Sequence, residues 1–221
     1  MHCGLFVTGT DTGVGKTILA AGILARYRSE FLLRYWKPIQ TGIEEDDDTA
    51  TVRQLVGCSQ EEIFDRGIRL RRPVSPHLAA EFSGITINLD TLTALPGIKS
   101  NERCLIVEGA GGVLVPVTES STMVDLMVRL GFPVLIAART SLGTINHTLL
   151  TIEALRARDL QIAGVALIGN PEPGARRSIE QYGQVSVIID IPVLDPLTPK
   201  VLKLWVSSAF DPDGALRQWL K

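Results

Sequence analysis

Five side chains stand out by chemical type and by what surrounds them. Lys16 and Thr17 close the run Gly9-Thr10-Asp11-Thr12-Gly13-Val14-Gly15; Lys37 sits directly before Pro38; Asp48 ends the acidic run Glu44 to Asp48. Glu108 follows the apolar run Cys104 to Val107 and is itself followed by Gly109-Ala110-Gly111-Gly112. A lysine and a hydroxyl at the end of a glycine loop that opens a helix form a phosphate site, because the loop turns its backbone N–H groups inward and the helix adds its positive end. Gly13, Val14, Gly15, Lys16, Thr17 and Ile18 are therefore expected to hold a nucleotide, Lys16 to reach its β- and γ-phosphates, and the Thr17 hydroxyl to sit on Mg²⁺. The spacing departs from the usual pattern in one respect: the first glycine belongs at Thr10, and the glycine present is Gly9.

The elements around these residues alternate. Leu5 to Val7 reads as a buried strand running into the loop, and Ile18 to Arg28, apolar nearly all round, as a helix packed deep on a sheet. Phe31 to Trp36 reads as a second strand that Pro38 ends, since proline donates nothing to a ladder. Lys37 then stands at a strand's carboxyl end, where open α/β sheets collect ligands, and is there either solvated or catalytic. Pro38 to Gly42 reads as a loop offering the Thr41 hydroxyl. The acidic run opens a helix carrying Val52, Leu55 and Val56, either as a solvated helix start or as the source of a metal-linked carboxylate. Cys104 to Val107 is the next strand, and a carboxylate at its end, ahead of small residues, suits a metal or water-positioning role.

Ser120 or Ser121 is expected to cap a helix from Val124 to Leu130, ended by Gly131. Pro133 to Ala138 is a further strand, and the helix start around Gly143, Thr144, Ile145 and Asn146 either receives an anion or is simply capped by Thr144 or Asn146. Ile162 to Ile168 and Val185 to Ile189 are strands, Leu89 to Leu95 a helix stopped by Pro96-Gly97, Arg176 to Tyr182 a helix, and the tail from Pro199 holds two short helices. Buried, non-alternating strands separated by helices predict an α/β fold: one P-loop NTPase-like domain over residues 1–221 with a mostly parallel, doubly wound sheet. Ser59 to Gly97 is the least legible part; its basic cluster from Arg66 to Arg72 and His77 carry no assigned role.

Composition narrows the classes. At 221 residues with 45% hydrophobic and 21% charged residues, the chain suits one sizeable domain of a soluble protein, and a net charge of −2 offers nucleic acid or anionic membranes no general attraction. No run approaches the roughly 20 apolar residues of a membrane span, so a cytoplasmic protein without nucleic-acid or membrane partners is expected. Cys3, Cys58 and Cys104 are read as buried or idle thiols rather than a disulfide framework, and His2, His77 and His147 share no metal-ligand spacing.

Taken in order, Gly9 to Thr17, Lys37 to Gly42, Ser75-Pro76-His77, Val107 to Gly112 and Leu142 to His147 closely resemble the dethiobiotin synthetase family over essentially the whole chain. That family has the early glycine seen here. The resemblance implies a ligase that joins 7,8-diaminopelargonic acid, CO₂ (or bicarbonate) and ATP into dethiobiotin, ADP and phosphate, with Mg²⁺ as cofactor and a homodimer as the working assembly. It implies catalytic roles for Lys37 and Lys16, substrate contacts at Thr12, Lys37 and Thr41, and metal linkage at Thr17, Asp48 and Glu108, with Asp47 the register alternative to Asp48. Glu108, Gly109, Ala110 and Gly111 fall on the nucleotide side, and Gly143 to Asn146 match the segment that takes the diamine's carboxylate tail across the dimer.

One position departs from the family pattern. An asparagine commonly ends the strand that reads adenine, and Ile168 stands there, with Asn170 two residues on. Either Asn170 substitutes through a shifted loop, or backbone groups near Pro192, Val193 and Leu194 hold the base and other nucleotides are accepted. Two rivals share the P-loop. A partitioning or positioning ATPase would carry an extra lysine near the loop's start, where this chain has Thr10-Asp11-Thr12, and an amide synthetase of the cobyrinic-acid type would usually add a glutaminase domain for which this length leaves no room.

Overall fold

Apolar runs such as Leu5-Phe6-Val7 and Val134 to Ala138 need cover on both faces, and the arrangement of elements supplies it. The computed structural model describes residues 3–94 and 103–221. In chain order the elements are β1 (Gly4–Gly9), α1 (Lys16–Tyr27), β2 (Leu33–Trp36), β3 (Ile39–Gln40), α2 (Asp48–Val56), β4 (Ile68–Arg69), α3 (Pro76–Ser83), α4 (Leu89–Thr93), β5 (Cys104–Gly112), α5 (Met123–Leu130), β6 (Val134–Arg139), α6 (Thr144–Arg156), β7 (Ile162–Ile168), α7 (Pro173–Gly183), β8 (Val187–Ile191) and α8 (Pro199–Ala209). Short 3-10 turns lie at Gln60–Glu62 and Ala215–Trp219.

Six strands form one sheet in the order β2-β5-β1-β6-β7-β8, and every pairing in it is parallel. Successive residues of a strand face opposite ways, so Leu5 and Val7 join one core with α1, α2 and α8, while Phe6 joins the other with α5, α6 and α7. The expected doubly wound α/β architecture is the one observed. It brings the carboxyl ends of β1, β2 and β5 side by side, where open sheets of this kind bind their ligands.

Several local expectations need correction. The stretch from Pro38 to Gly42 is not only a loop: Ile39 and Gln40 form β3, parallel to β4, because Leu70 N donates to Gln40 O and Ile68 N to Pro38 O. Strand β5 does not stop at Val107 but runs on to Gly112, its register against β1 jumping from Val7–Glu108 to Gly9–Gly112. Glu108 is thus a buried strand residue followed by a bulge. Helix α5 is capped by Thr122 rather than Ser120 or Ser121, since Asp125 completes a capping box by accepting from Thr122 N. Cys3 and Cys104 are not idle thiols. The β1–β5 register that aligns Gly4 with Leu105 sets them side by side, and a disulfide joins them, leaving Cys58 as the free cysteine. The stop expected at Pro96-Gly97 lies outside the described residues.

Candidate active site

The loop after β1 is built for an anion. Gly13 and Gly15 take φ values of 68° and 97°, in the left-handed region that side chains resist. At Gly15 the space is closed as well, because a Cβ would come within 2.9 Å of Ile168 Cδ1. No side chain caps α1, whose first N–H groups therefore face the loop's concavity. Lys16 is buried and donates to the Asp11 carbonyl at 2.9 Å. Burial, with Lys37 nearby, brings its pKa down to about 8.

Three further elements meet this loop. The Thr17 hydroxyl, in the first turn of α1, donates to Asp48 Oδ1 at 2.7 Å and stands 3.0 Å from Glu108 Oε1. Lys37 Nζ is 2.6 Å from Asp48 Oδ2, 2.9 Å from Glu108 Oε1 and 3.0 Å from the Gly109 carbonyl. Asp47, the register alternative, is excluded from this cluster: as the cap of α2 it spends its side chain on Ala50 N.

Burial works against every charge here, and the partners decide the outcome. For Lys37 it acts to lower the pKa, but the Glu108 and Asp48 carboxylates outweigh it and hold the ammonium above its ordinary value. Burial would likewise raise the Asp48 pKa, and Lys37 and Thr17 reverse the sign and hold it low. At Glu108 burial prevails over Lys37 and pushes the carboxyl up. A fully buried lysine paired this closely is costly unless its geometry is well satisfied, and three acceptors satisfy all three of its protons.

A cavity of about 390 Å³ opens over the cluster, lined by Thr12, Lys16, Thr41, Asp48, Glu108 and Gly111 among others. Thr41 is held there by Gln40, whose amide donates to Thr41 O and Asp46 O, both at 2.9 Å. Gln40 lies within the Lys37-to-Gly42 motif and Arg69, which donates to the Lys37 carbonyl at 2.9 Å, within the basic cluster, but neither has a role assigned from the sequence, because what each side chain bonds depends on the β3–β4 pairing.

Oxygen donors dominate the cluster. Among the described residues no group of three His, Cys, Asp or Glu side chains gathers at one place, so any metal held here would take two carboxylates, a hydroxyl and the phosphates of its nucleotide. That is the habit of Mg²⁺, which is small, oxygen-seeking and reluctant to shed its water. Thr17, Asp48 and Glu108 fit it.

The remaining expected residues lie outside this cavity. Ile168 packs against Gly15, so the end of β7 adjoins the loop, while Asn170, Pro192 and Val193 are exposed and Leu194 half-buried at the ends of β7 and β8. Gly143, at φ 94°, opens α6 with no side-chain cap, which disposes of simple capping by Thr144 or Asn146. The buried Thr144 Oγ1 has no hydrogen-bond partner.

Comparison with known proteins bears on this geometry. A family model described as AAA domain matches residues 3–201. ATP-dependent dethiobiotin synthetase BioD of Nitrobacter hamburgensis is 44% identical over 98% of this chain and 99% of its own length. The chain belongs to the dethiobiotin synthetase family. A second dethiobiotin synthetase, from Rhodopseudomonas palustris strain HaA2, is 46% identical over 96% of both chains. The fold is broader than the family: a ParA family ATPase of Chlorobium tepidum superposes with a TM-score of 0.57 over 100% of this chain and 98% of its own at 11% identity, a likeness of architecture alone. As in other dethiobiotin synthetases, an ATP-dependent reaction is the context in which the Lys37 cluster is to be understood.

Proposed function

We propose that this chain, acting as one domain, is an Mg²⁺- and ATP-dependent ligase that closes 7,8-diaminopelargonic acid and CO₂ into dethiobiotin, releasing ADP and phosphate. The observation that carries the reading is Lys37: a buried ammonium at the end of β2, between the carboxylates that also meet the P-loop threonine.

One amine of the diamine adds to CO₂ and loses a proton, giving a carbamate. A carbamate oxygen attacks the γ-phosphorus and ADP leaves. The second amine then attacks the carbonyl carbon of the carbamic-phosphoric anhydride, the new C–N bond forms, the nitrogen loses a proton, and phosphate departs with the C–O bond broken. Phosphoryl transfer of this kind needs positioning and charge stabilisation more than covalent help. Lys16 and the N–H groups from Gly13 to Ile18 hold the phosphates, with Gly109, Ala110 and Gly111 backing them. Lys37 holds the carbamate by exchanging one of its protein acceptors for a carbamate oxygen and shields its approach to the triphosphate, and Thr12 and Thr41 contact the diamine. Thr17, Asp48 and Glu108 would hold Mg²⁺, which would supply neutralisation of the charge that develops on the transferring phosphoryl group.

The open start of α6, Gly143 to Asn146, receives the diamine's carboxylate from a second subunit. The base is held at the ends of β7 and β8, by Asn170 or by the backbone from Pro192 to Leu194.

Phosphate release from ATP, with diamine and bicarbonate each omitted in turn, tests the reaction. Release is expected only with both present, and hydrolysis indifferent to the diamine sinks the reading. The same assay with GTP and CTP addresses the base: a strong ATP preference that Asn170→Ala removes supports Asn170 and rejects the backbone alternative.

A further inference from the structure

Glu108 has two carboxylate oxygens, and they have different partners. Oε1 faces Thr17 Oγ1 at 3.0 Å and Lys37 Nζ at 2.9 Å. Oε2 accepts a hydrogen bond from the Tyr35 hydroxyl at 2.9 Å. Both residues are sealed from solvent, Tyr35 at 0% exposure and Glu108 at 1%.

Sheet register explains the contact. Tyr35 is aligned with Ile106 in the β2–β5 pair, and Glu108 is the next β5 residue on the same face. Diagonal neighbours on one sheet face are within reach of an aromatic side chain. The backbone that carries the ring is fixed, since the Tyr35 carbonyl accepts from Phe64 N at 2.8 Å and Tyr35 bridges to Ile63, and the ring is wholly buried. The final torsion of a glutamate is broad and roughly two-fold; a buried donor on one oxygen selects one setting of it.

We propose that Tyr35 is a positioning residue for the metal and phosphate site. It commits Glu108 Oε2 to the phenol and so presents a single oxygen, Oε1, to the metal and to Lys37. Tyr35 does not line the cavity and acts only through Glu108. The inference rests on Glu108 being metal-linked, as put forward above.

Mn²⁺ binding to the protein–ADP complex, read from the electron paramagnetic resonance of free Mn²⁺, tests it without turnover. Substitution of partners behind a metal ligand typically costs about 10–100-fold in metal affinity. Tyr35→Phe, which keeps the ring, is expected to weaken Mn²⁺ binding by that factor while metal-free ADP affinity holds.

Tyr27→Phe is the control, because it removes another buried tyrosine–carboxylate bond, to Asp211 at 2.5 Å, remote from the cluster. It should lower the thermal midpoint and leave Mn²⁺ affinity unchanged. Unaltered Mn²⁺ affinity in Tyr35→Phe, or an equal loss in both variants, overturns the proposal. Glu108→Gln separates the two levels: if it leaves Mn²⁺ affinity unchanged, the metal reading itself fails and the proposal with it.

Discussion

Lys37 gives up its water for three protein oxygens, and that exchange makes its removal informative. In Lys37→Ala the buried Glu108 and the largely covered Asp48 carboxylates are left beside each other without the cation they share. Breaking one partner out of a buried ionic cluster costs about 3–5 kcal/mol. The expected result is loss of product formation, a lower thermal midpoint that Mg²⁺ with nucleotide partly restores, and nucleotide affinity reduced much less than turnover. A variant that loses nucleotide binding yet turns over at saturating ATP would show that Lys37 serves the nucleotide and not the carbamate. The candidate residues Lys16, Thr17, Lys37, Asp48 and Glu108 were all legible as residues, since each is a charged or hydroxyl side chain at a strand end or helix start. The choice of Asp48 over Asp47 was not, because it turns on which of two adjacent carboxylates caps α2. Tyr35 was not legible either: in a strand, an aromatic residue reads as core, and only the pairing of β2 with β5 reveals what its hydroxyl touches.

At the scale of elements, α1 is anchored at both ends by chemistry rather than by propensity alone. Its start carries the phosphate loop, and its last residue, Tyr27, donates to Asp211, whose carboxylate also accepts from Ala215 N and Leu216 N at 2.8 and 2.9 Å. One buried aspartate thus ties the C-terminal turn to the helix that bears the P-loop. Burial, aided by Asp211, raises the Tyr27 pKa from 10.0. For a group whose folded pKa is raised, the stabilisation is complete below the unfolded pKa and is lost as pH rises above it. Urea midpoints of the wild type should therefore fall between pH 9.5 and about 11 more steeply than those of Tyr27→Phe. Parallel slopes would show that the phenol contributes nothing through its proton. Most helices and strands were readable from runs of apolar residues, whereas the cap of α5 and the short β3–β4 pair were not, because both depend on partners outside their own stretch.

For the molecule as a whole, the described residues contain no helix long and apolar enough to cross a membrane. Apolar side chains nonetheless face solvent in the first half of α6 and just before it: Leu142 and, nearly two turns into the helix, Leu150, 105% and 56% exposed. Leu142 adjoins the open helix start proposed above for a second subunit's substrate and Leu150 lies further along the same helix, and we expect both to lie in the dimer contact. Sedimentation of Leu150→Asp should give a monomer that binds nucleotide but forms no product; a dimer with full turnover would remove this face from the interface.

The order of apolar runs, glycine loops and isolated charges along the chain was sufficient for the α/β class, the phosphate loop and the family, because strand burial and loop geometry leave their mark within a few residues. Contacts between strands far apart in sequence were beyond it. Cys3 meeting Cys104, Tyr35 reaching Glu108 and Lys37 closing on Glu108 follow from the register of β5 against β1 and β2, and a shift of one residue would turn each side chain to the opposite face of the sheet; Asp48 joins them from the start of α2.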